Sequence, residues 1–400
     1  MGQINSLTYR VVSHAEVPTI RTKADRWWGD PPWSHFMART HGPDLRYLLI
    51  ADSAGTLCAT APLLYGTADR GAFFAKAPAI AGDEVAFGDE WRLTESEHAE
   101  YDALRSRLAG ARAAQYPTIS LTVRGASDGV AMALESPVSR AEVHAALPGL
   151  VADAAAELGC RSHAILHLED DGTLREPAAE LGHTRVVLGA ETAMDIPVVS
   201  GQEEYFAALP RRRRYRLRAE KRQCVEQGLH TEVRTGPSSM TEDLILLQAR
   251  QRAKHGMSGE VGPVREEFYR IRETVGDAVI VLSAVREGQL LGYTLCLYDK
   301  DRDELFARSA GFDYDALDGG CYFALMFHDV PAWAADHGVR RIFFGMSTYE
   351  AKRARGATLL SLYGHLRFDG PDGHLLHRAT QLQSLGEARR LEALGAKVIR

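Results

Sequence analysis

The sequence is poor in cysteine, lysine and asparagine, and each scarcity excludes something. Its five cysteines, Cys58, Cys160, Cys224, Cys296 and Cys321, stand far apart with no C-x-x-C pair. This excludes a disulfide scaffold and a thiolate zinc spacing. An H-E-x-x-H motif is also missing, so no metal site is expected. No apolar run approaches the ~18 residues that span a bilayer. The N-terminus has no apolar signal core, and the chain is expected in the cytoplasm. A net charge of −6 excludes a uniformly basic coat but not a local basic patch. One asparagine, Asn5, and seven lysines stand against 40 arginines. Asn and Lys codons are AT-rich, so the bias reads as a GC-rich bacterial gene. Arginine runs therefore carry less information here, and each lysine carries more.

What is present is globular. A hydrophobic share of 45% and a charged share of 25% exclude wholesale disorder. At 400 residues the chain exceeds one hydrophobic core, which implies roughly two or three domains. The second half reads most clearly. Residues 203–228 are predicted helical and basic, ending at Gly228. Leu229–Arg234 alternates as a strand, and helices follow over Met240–His255 and 265–275. Ala278–Val285, a turn at Glu287-Gly288, and Leu290–Tyr298 form a hairpin signature. A third strand is Glu304–Gly311. A loop with Gly319-Gly320 leads to a helix ending at Gly338, in which Pro331 kinks the helix or starts its second segment. Arg340–Gly345 is a short apolar strand, Tyr349–Arg355 a helical turn, and Leu359–Phe368 a last strand.

The first half repeats this order. Arg46–Ala51 and Thr56–Tyr65 flank a turn at Gly55, as the later hairpin flanks Gly288. Phe73-Phe74-Ala75-Lys76 echoes Leu305-Phe306-Ala307-Arg308. Pro148–Gly159 and Ser162–Leu168 echo the helix and strand around Gly338. The offset between matched glycines falls from 233 to 179 residues, so the first copy carries a 54-residue insertion within 80–143. The element order resembles the GNAT acyltransferase fold. That resemblance implies an α/β chain of two tandem GNAT-like units, 1–198 and 199–400. Each is a mixed, mostly antiparallel sheet flanked by helices.

Two constellations could carry chemistry. Between Arg211 and Arg222 lie eight cations opposed only by Glu220. Of these, Arg211, Arg214, Arg218, Lys221 and Arg222 share a helical face, which suits phosphates because Arg offers paired donors. The alternative is a solvated surface enriched by codon bias. The second constellation is Phe343-Phe344-Gly345-Met346-Ser347-Thr348-Tyr349-Glu350-Ala351-Lys352-Arg353-Ala354-Arg355-Gly356. An apolar strand ends in glycine, and a polar turn then presents Tyr349 and Lys352.

Together these residues resemble the Fem-type transferases, which carry a strand, a glycine, a similarly placed Lys and a closing glycine. The resemblance implies an enzyme that forms an amide by moving an aminoacyl group from aminoacyl-tRNA to an amine. The acceptor would be a peptidoglycan precursor or a natural-product amine. It places Lys352 at the tRNA 3′ end or the reacting ester and uses no cofactor beyond the tRNA co-substrate; by position, Tyr349 from the adjacent turn and Arg308 from a facing strand are its expected neighbours. Acyl-CoA is the alternative donor. Against it, the stretch Asp313–Tyr322 holds three aspartates and no basic residue where a pyrophosphate would bind. A binding protein that kept the fold without the chemistry is the third reading. By residue type, His328, Glu350, Asp318 and Asp313 are available as general bases, and Cys321 as a nucleophile; nothing in their spacing selects among them.

Overall fold

Four glycines place the repeat. In the computed structural model, Gly55 and Gly288 turn the two hairpins at φ +85° and +78°. Gly159 and Gly338 end the two crossover helices at φ +66° and +72°. A side chain is disfavoured at each of these left-handed positions, which is why the glycines are legible in the sequence. The structure describes residues 3–4, 7–18, 22–24, 26–81, 92–123, 127, 129–317 and 320–399.

The protein is a mixed α/β chain of two compact units, Met1–Ala190 with Leu360–Arg400, and Glu191–Leu359. In the first unit, strands Leu7–Ser13, Leu45–Ala51, Leu57–Gly66 and Thr118–Leu121 pair antiparallel in that order. The helix Arg140–Glu157 then crosses over to Ser162–Leu168, which pairs parallel to Thr118–Leu121. In the second unit, His230–Thr235, Val279–Arg286, Gln289–Asp299 and Glu304–Phe312 pair antiparallel. A helical crossover leads to Arg341–Phe343, parallel to Glu304–Phe312. Each unit therefore has the order expected of a GNAT-like fold.

The unit boundary departs from the 198/199 junction expected from the sequence. Thr184–Asp195 follows Ser162–Leu168 in the chain, yet Ala193–Asp195 pair with Arg341–Phe343 of the second unit. Thr358–Phe368 follows Arg341–Phe343, yet Tyr363–Phe368 pair with Ser162–Leu168 of the first. The final strands are thus exchanged. The closing helix Gly373–Ala393 accordingly joins the first unit, where Leu376 and Leu382 pack with Leu108, Leu166 and Leu366. The insertion lies between the third and fourth strands of that unit and holds the helix Glu95–Ala113. Residues 82–91 of it lie outside the described residues. Phe73–Ala75 is a 3-10 turn in the same connection, so its likeness to Leu305–Ala307 does not mark the fourth strand, which is Thr118–Leu121.

Two prolines shape the second unit. Residues 203–228 form two helices, Gln202–Ala208 and Arg211–Glu226. Pro210 lacks an N–H and holds Leu209 extended, at ψ 145°, which breaks the expected single helix. In the crossover, Gly320–Ala324 widens into a π turn over Leu325–Asp329 before Val330–Asp336 resumes as an α-helix. Pro331 sits in that last segment, where its ring cannot fit a regular preceding turn. The core beneath is apolar, with Leu217, Leu305, Phe312, Phe327, Val330 and Ile342 all buried. Each such side chain contributes about 1.5–3 kcal/mol on burial. Among the described residues no helix is long and apolar enough to cross a membrane.

Candidate active site

The sheet of the second unit opens where two parallel strands part. Glu304, Leu305 and Phe306 pair with Arg341, Ile342 and Phe343, and the pairing stops there. The strand Glu304–Phe312 runs on, with a bulge at Arg308, since Cys296 pairs with Ala307 but Leu295 with Ser309. The other chain turns away after Phe343. The Phe344 amide donates to Thr192 O at 2.8 Å, and Thr192 Oγ1 donates to Gly345 O at 2.6 Å. The turn that follows is left-handed, with Gly345 at φ +77°, Ser347 at +76° and Thr348 at +48°. Two successive non-glycine residues there are costly and persist only where the surroundings hold them.

Lys352 holds them. Only 4% exposed, it donates from Nζ to the carbonyls of Phe344 at 2.8 Å, Gly345 at 2.8 Å and Met346 at 3.3 Å. Burial pushes its pKa from 10.5 down to about 8, while the buried carboxylate of Glu191 pulls the other way. With three carbonyls gathered on the ammonium, the amides of Gly345, Met346 and Ser347 donate to no protein acceptor among the described residues. Met346 and Ser347 are exposed. Open amides above a buried positive charge can hold an oxyanion.

Tyr349 and Arg308 are the other two residues expected beside Lys352, and Tyr349 shares its short helix. Tyr349 is buried at the start of the short helix Tyr349–Arg353. Arg308 is turned to Glu267, with Nη2 at 2.5 Å from Oε1, and Arg252 pairs with the same carboxylate. Among the described residues no hydrogen bond or ion pair joins Arg308 to Lys352. Arg308 therefore anchors the bulged strand to the helix Val261–Val275. One residue the sequence reading missed is Glu191, buried in the strand Thr184–Asp195.

The general-base candidates are also dispersed. His328 stacks on Phe206 with ring centroids 4.5 Å apart, and its Nδ1 lies 2.8 Å from Asp329. Asp313 pairs with Arg250 and accepts from the amides of Asp315 and Ala316. Glu350 is exposed, and Asp318 lies outside the described residues. Cys321 is buried against Cys224.

The basic helix Arg211–Glu226 is narrower as an anion site than its composition implies. Arg214 caps the preceding helix, donating to Ala207 O at 2.8 Å. Lys221 is bound to Asp329 at 2.7 Å and to Thr231 at 2.8 Å. Of the expected phosphate set, these two cations already have partners inside the unit. Glu220 pairs with Arg355, which stacks on Phe323. Arg211, Arg218 and Arg222 are exposed and engage no partner among the described residues. Tyr215 lies between them at helical spacing and is 69% exposed, a position the charge count had passed over. In the first unit a pocket of about 390 Å³, walled in part by His14, His35 and Tyr47, has no charged side chain among its described lining residues.

Both units have the strand order of a GNAT-like fold, and in the second the parallel pair parts after Phe306 and Phe343. Residues 111–368 match the model of the FemAB-like family, described as peptidoglycan biosynthesis/recognition, and the chain belongs to that family. No curated protein sequence matches it. Among solved structures, L-PGS from Bacillus licheniformis is similar at 14% identity and TM-score 0.49, over 88% of this chain and 92% of that one. A tandem GNAT protein from the clavulanic acid biosynthesis pathway is similar at 12% and 0.43, over 91% and 99%. A GCN5-related N-acetyltransferase from Sphaerobacter thermophilus is similar at 11% and 0.42, over 92% and 98%.

Proposed function

We propose that the chain transfers an aminoacyl group from aminoacyl-tRNA to an amine, forming an amide in the second unit. The observation that carries this reading is the exposed face Arg211–Tyr215–Arg218–Arg222 in a chain of net charge −6. Arginines bind backbone phosphates, and an exposed aromatic among them stacks an unpaired base. The acceptor amine, a peptidoglycan precursor or a natural-product amine, attacks the ester carbonyl carbon. The ribose oxygen leaves as the amide bond forms, and the attacking nitrogen gives up its proton. Charge that develops on the carbonyl oxygen meets the open amides of Gly345–Ser347. Because all three N–H groups of Lys352 are taken by carbonyls, Lys352 acts through the turn it holds and is a positioning residue.

Acyl-CoA fits less well, since the stretch Asp313–Tyr322, which the GNAT resemblance matches to a pyrophosphate-binding loop, holds three aspartates and no basic residue. Binding separates the two donors. Charged tRNA should bind tightly with a steep salt dependence, and Arg211→Gln/Arg218→Gln/Arg222→Gln should flatten the slope by about 0.7–0.9 for each phosphate no longer neutralised. Stabilisation by acetyl-CoA with none by tRNA would replace this reading by the acyl-CoA one.

A further inference from the structure

Two of the five cysteines meet inside the second unit. Cys224 lies in the last turn of the basic helix, and Cys321 opens the helix Gly320–Ala324. They are 97 residues apart in sequence, yet their Sγ atoms are 3.1 Å apart. Both are buried, at 6% and 2% exposure. With so few cysteines in the chain, such a meeting is not a matter of composition. Among the described residues, none of Cys58, Cys160 and Cys296 has a second sulfur against it. The transfer proposed above uses neither thiol. The contact with Cys321 and burial raise the Cys224 pKa, which makes it a poor acyl nucleophile.

The geometry suits a different reaction. A disulfide needs its sulfurs at about 2.05 Å, roughly 1 Å closer than they stand. Both cysteines border a notch of about 10 Å³, shared with Lys221, His230 and Thr231. A space of that size admits a water-sized molecule and excludes a bulky disulfide reagent. We infer that Cys224 and Cys321 are an oxidation site, where a small peroxide converts two thiols into a disulfide joining the basic helix to the helix Gly320–Ala324.

The step balances with hydrogen peroxide as the oxidant. Cys321, as its thiolate, attacks a peroxide oxygen, the O–O bond breaks, and a sulfenic acid and hydroxide form. The second thiol then attacks that sulfur, the S–O bond breaks, and the disulfide forms with release of water. Two sulfurs lose two electrons in all, and the peroxide is reduced to two waters. The closed loop is long, so the cross-link strongly restricts the unfolded chain.

The test uses the full chain exposed to hydrogen peroxide at mildly alkaline pH. It is then denatured, alkylated and mapped by peptide mass spectrometry. The expected product joins the Cys224 and Cys321 peptides, lighter by two hydrogens, with the other three cysteines alkylated. The Tm should rise by roughly 5 °C or more and fall back on reduction. Cys224→Ser and Cys321→Ala should each lose the cross-link and the Tm rise while keeping the reduced fold. Five alkylated cysteines after peroxide, a cross-link through another cysteine, or sulfinic acid without a cross-link would each overturn the inference.

Discussion

Replacing Lys352 with methionine keeps the buried stem and removes the ammonium. Three carbonyls then lose their donor, of which the Phe344 oxygen is the most enclosed. An orphaned buried carbonyl costs about 1–3 kcal/mol. The opposing effect is relief of a desolvated charge. The shift of Lys352 from 10.5 to about 8 corresponds to roughly 3 kcal/mol against the charged form. The two effects nearly offset, so Lys352→Met should move Tm by only a few degrees. Transfer should suffer far more, since the left-handed turn relaxes and its amides lose their aim. Loss of one oxyanion donor lowers turnover by roughly a hundredfold or more.

The pH dependence carries a separate signature. Below about 8 the folded ammonium is intact, and transfer should fall as pH rises through that value. Between about 8 and 10.5 the unfolded chain keeps a proton that the folded chain has released. Stability should therefore rise with pH across that window, and Lys352→Met should abolish the rise. Urea unfolding between neutral and alkaline pH measures this, alongside single-turnover transfer from charged tRNA. Equal transfer rates in the two proteins, with the same pH dependence of unfolding, would refute the assignment.

Further outcomes are expected elsewhere. Burial lowers His163 to about 4 and His183 to about 3, against 6.5 when unfolded. Stability should fall as pH drops from 6.5 through about 4, and His163→Phe should flatten the loss in acid urea titrations. Asp329 accepts from both Lys221 and Thr231, so Asp329→Asn should destabilise the second unit by about 3–5 kcal/mol, read by thermal unfolding. Tyr215→Ala should leave Tm unchanged, because the ring is exposed, and weaken charged-tRNA binding by about 1–3 kcal/mol in a filter-binding titration.

The repeat was legible because turns that need φ > 0 mark it twice, at Gly55 and Gly159 and again at Gly288 and Gly338. The exchange of final strands was not. Thr184–Asp195 and Thr358–Phe368 are apolar strands wherever they pair, and their composition does not say which neighbour they take. Pro210 is a breaker visible in the sequence, and it splits the stretch 203–228 that reads as one basic helix. Lys352 stood out as one of few lysines, but its three carbonyl partners follow from a local turn that no spacing rule encodes. The basic stripe was half legible. Spacing placed Arg211, Arg218 and Arg222 on one face, while the ties of Arg214 to a preceding helix and of Lys221 to Asp329 depend on tertiary packing. Charge counting also passed over Tyr215, whose chemistry is not charge.

The central claim is that the aminoacyl ester of tRNA is the donor. The most direct measurement incubates the protein with tRNA charged with radiolabelled amino acids and a peptidoglycan-precursor amine, and follows the label in a single turnover. The account predicts label leaving tRNA and appearing in an alkali-stable amide, at a rate cut by Arg211→Gln/Arg218→Gln/Arg222→Gln and by Lys352→Met. Label retained on tRNA, with an acyl group passing to the same amine from acetyl-CoA, would contradict it.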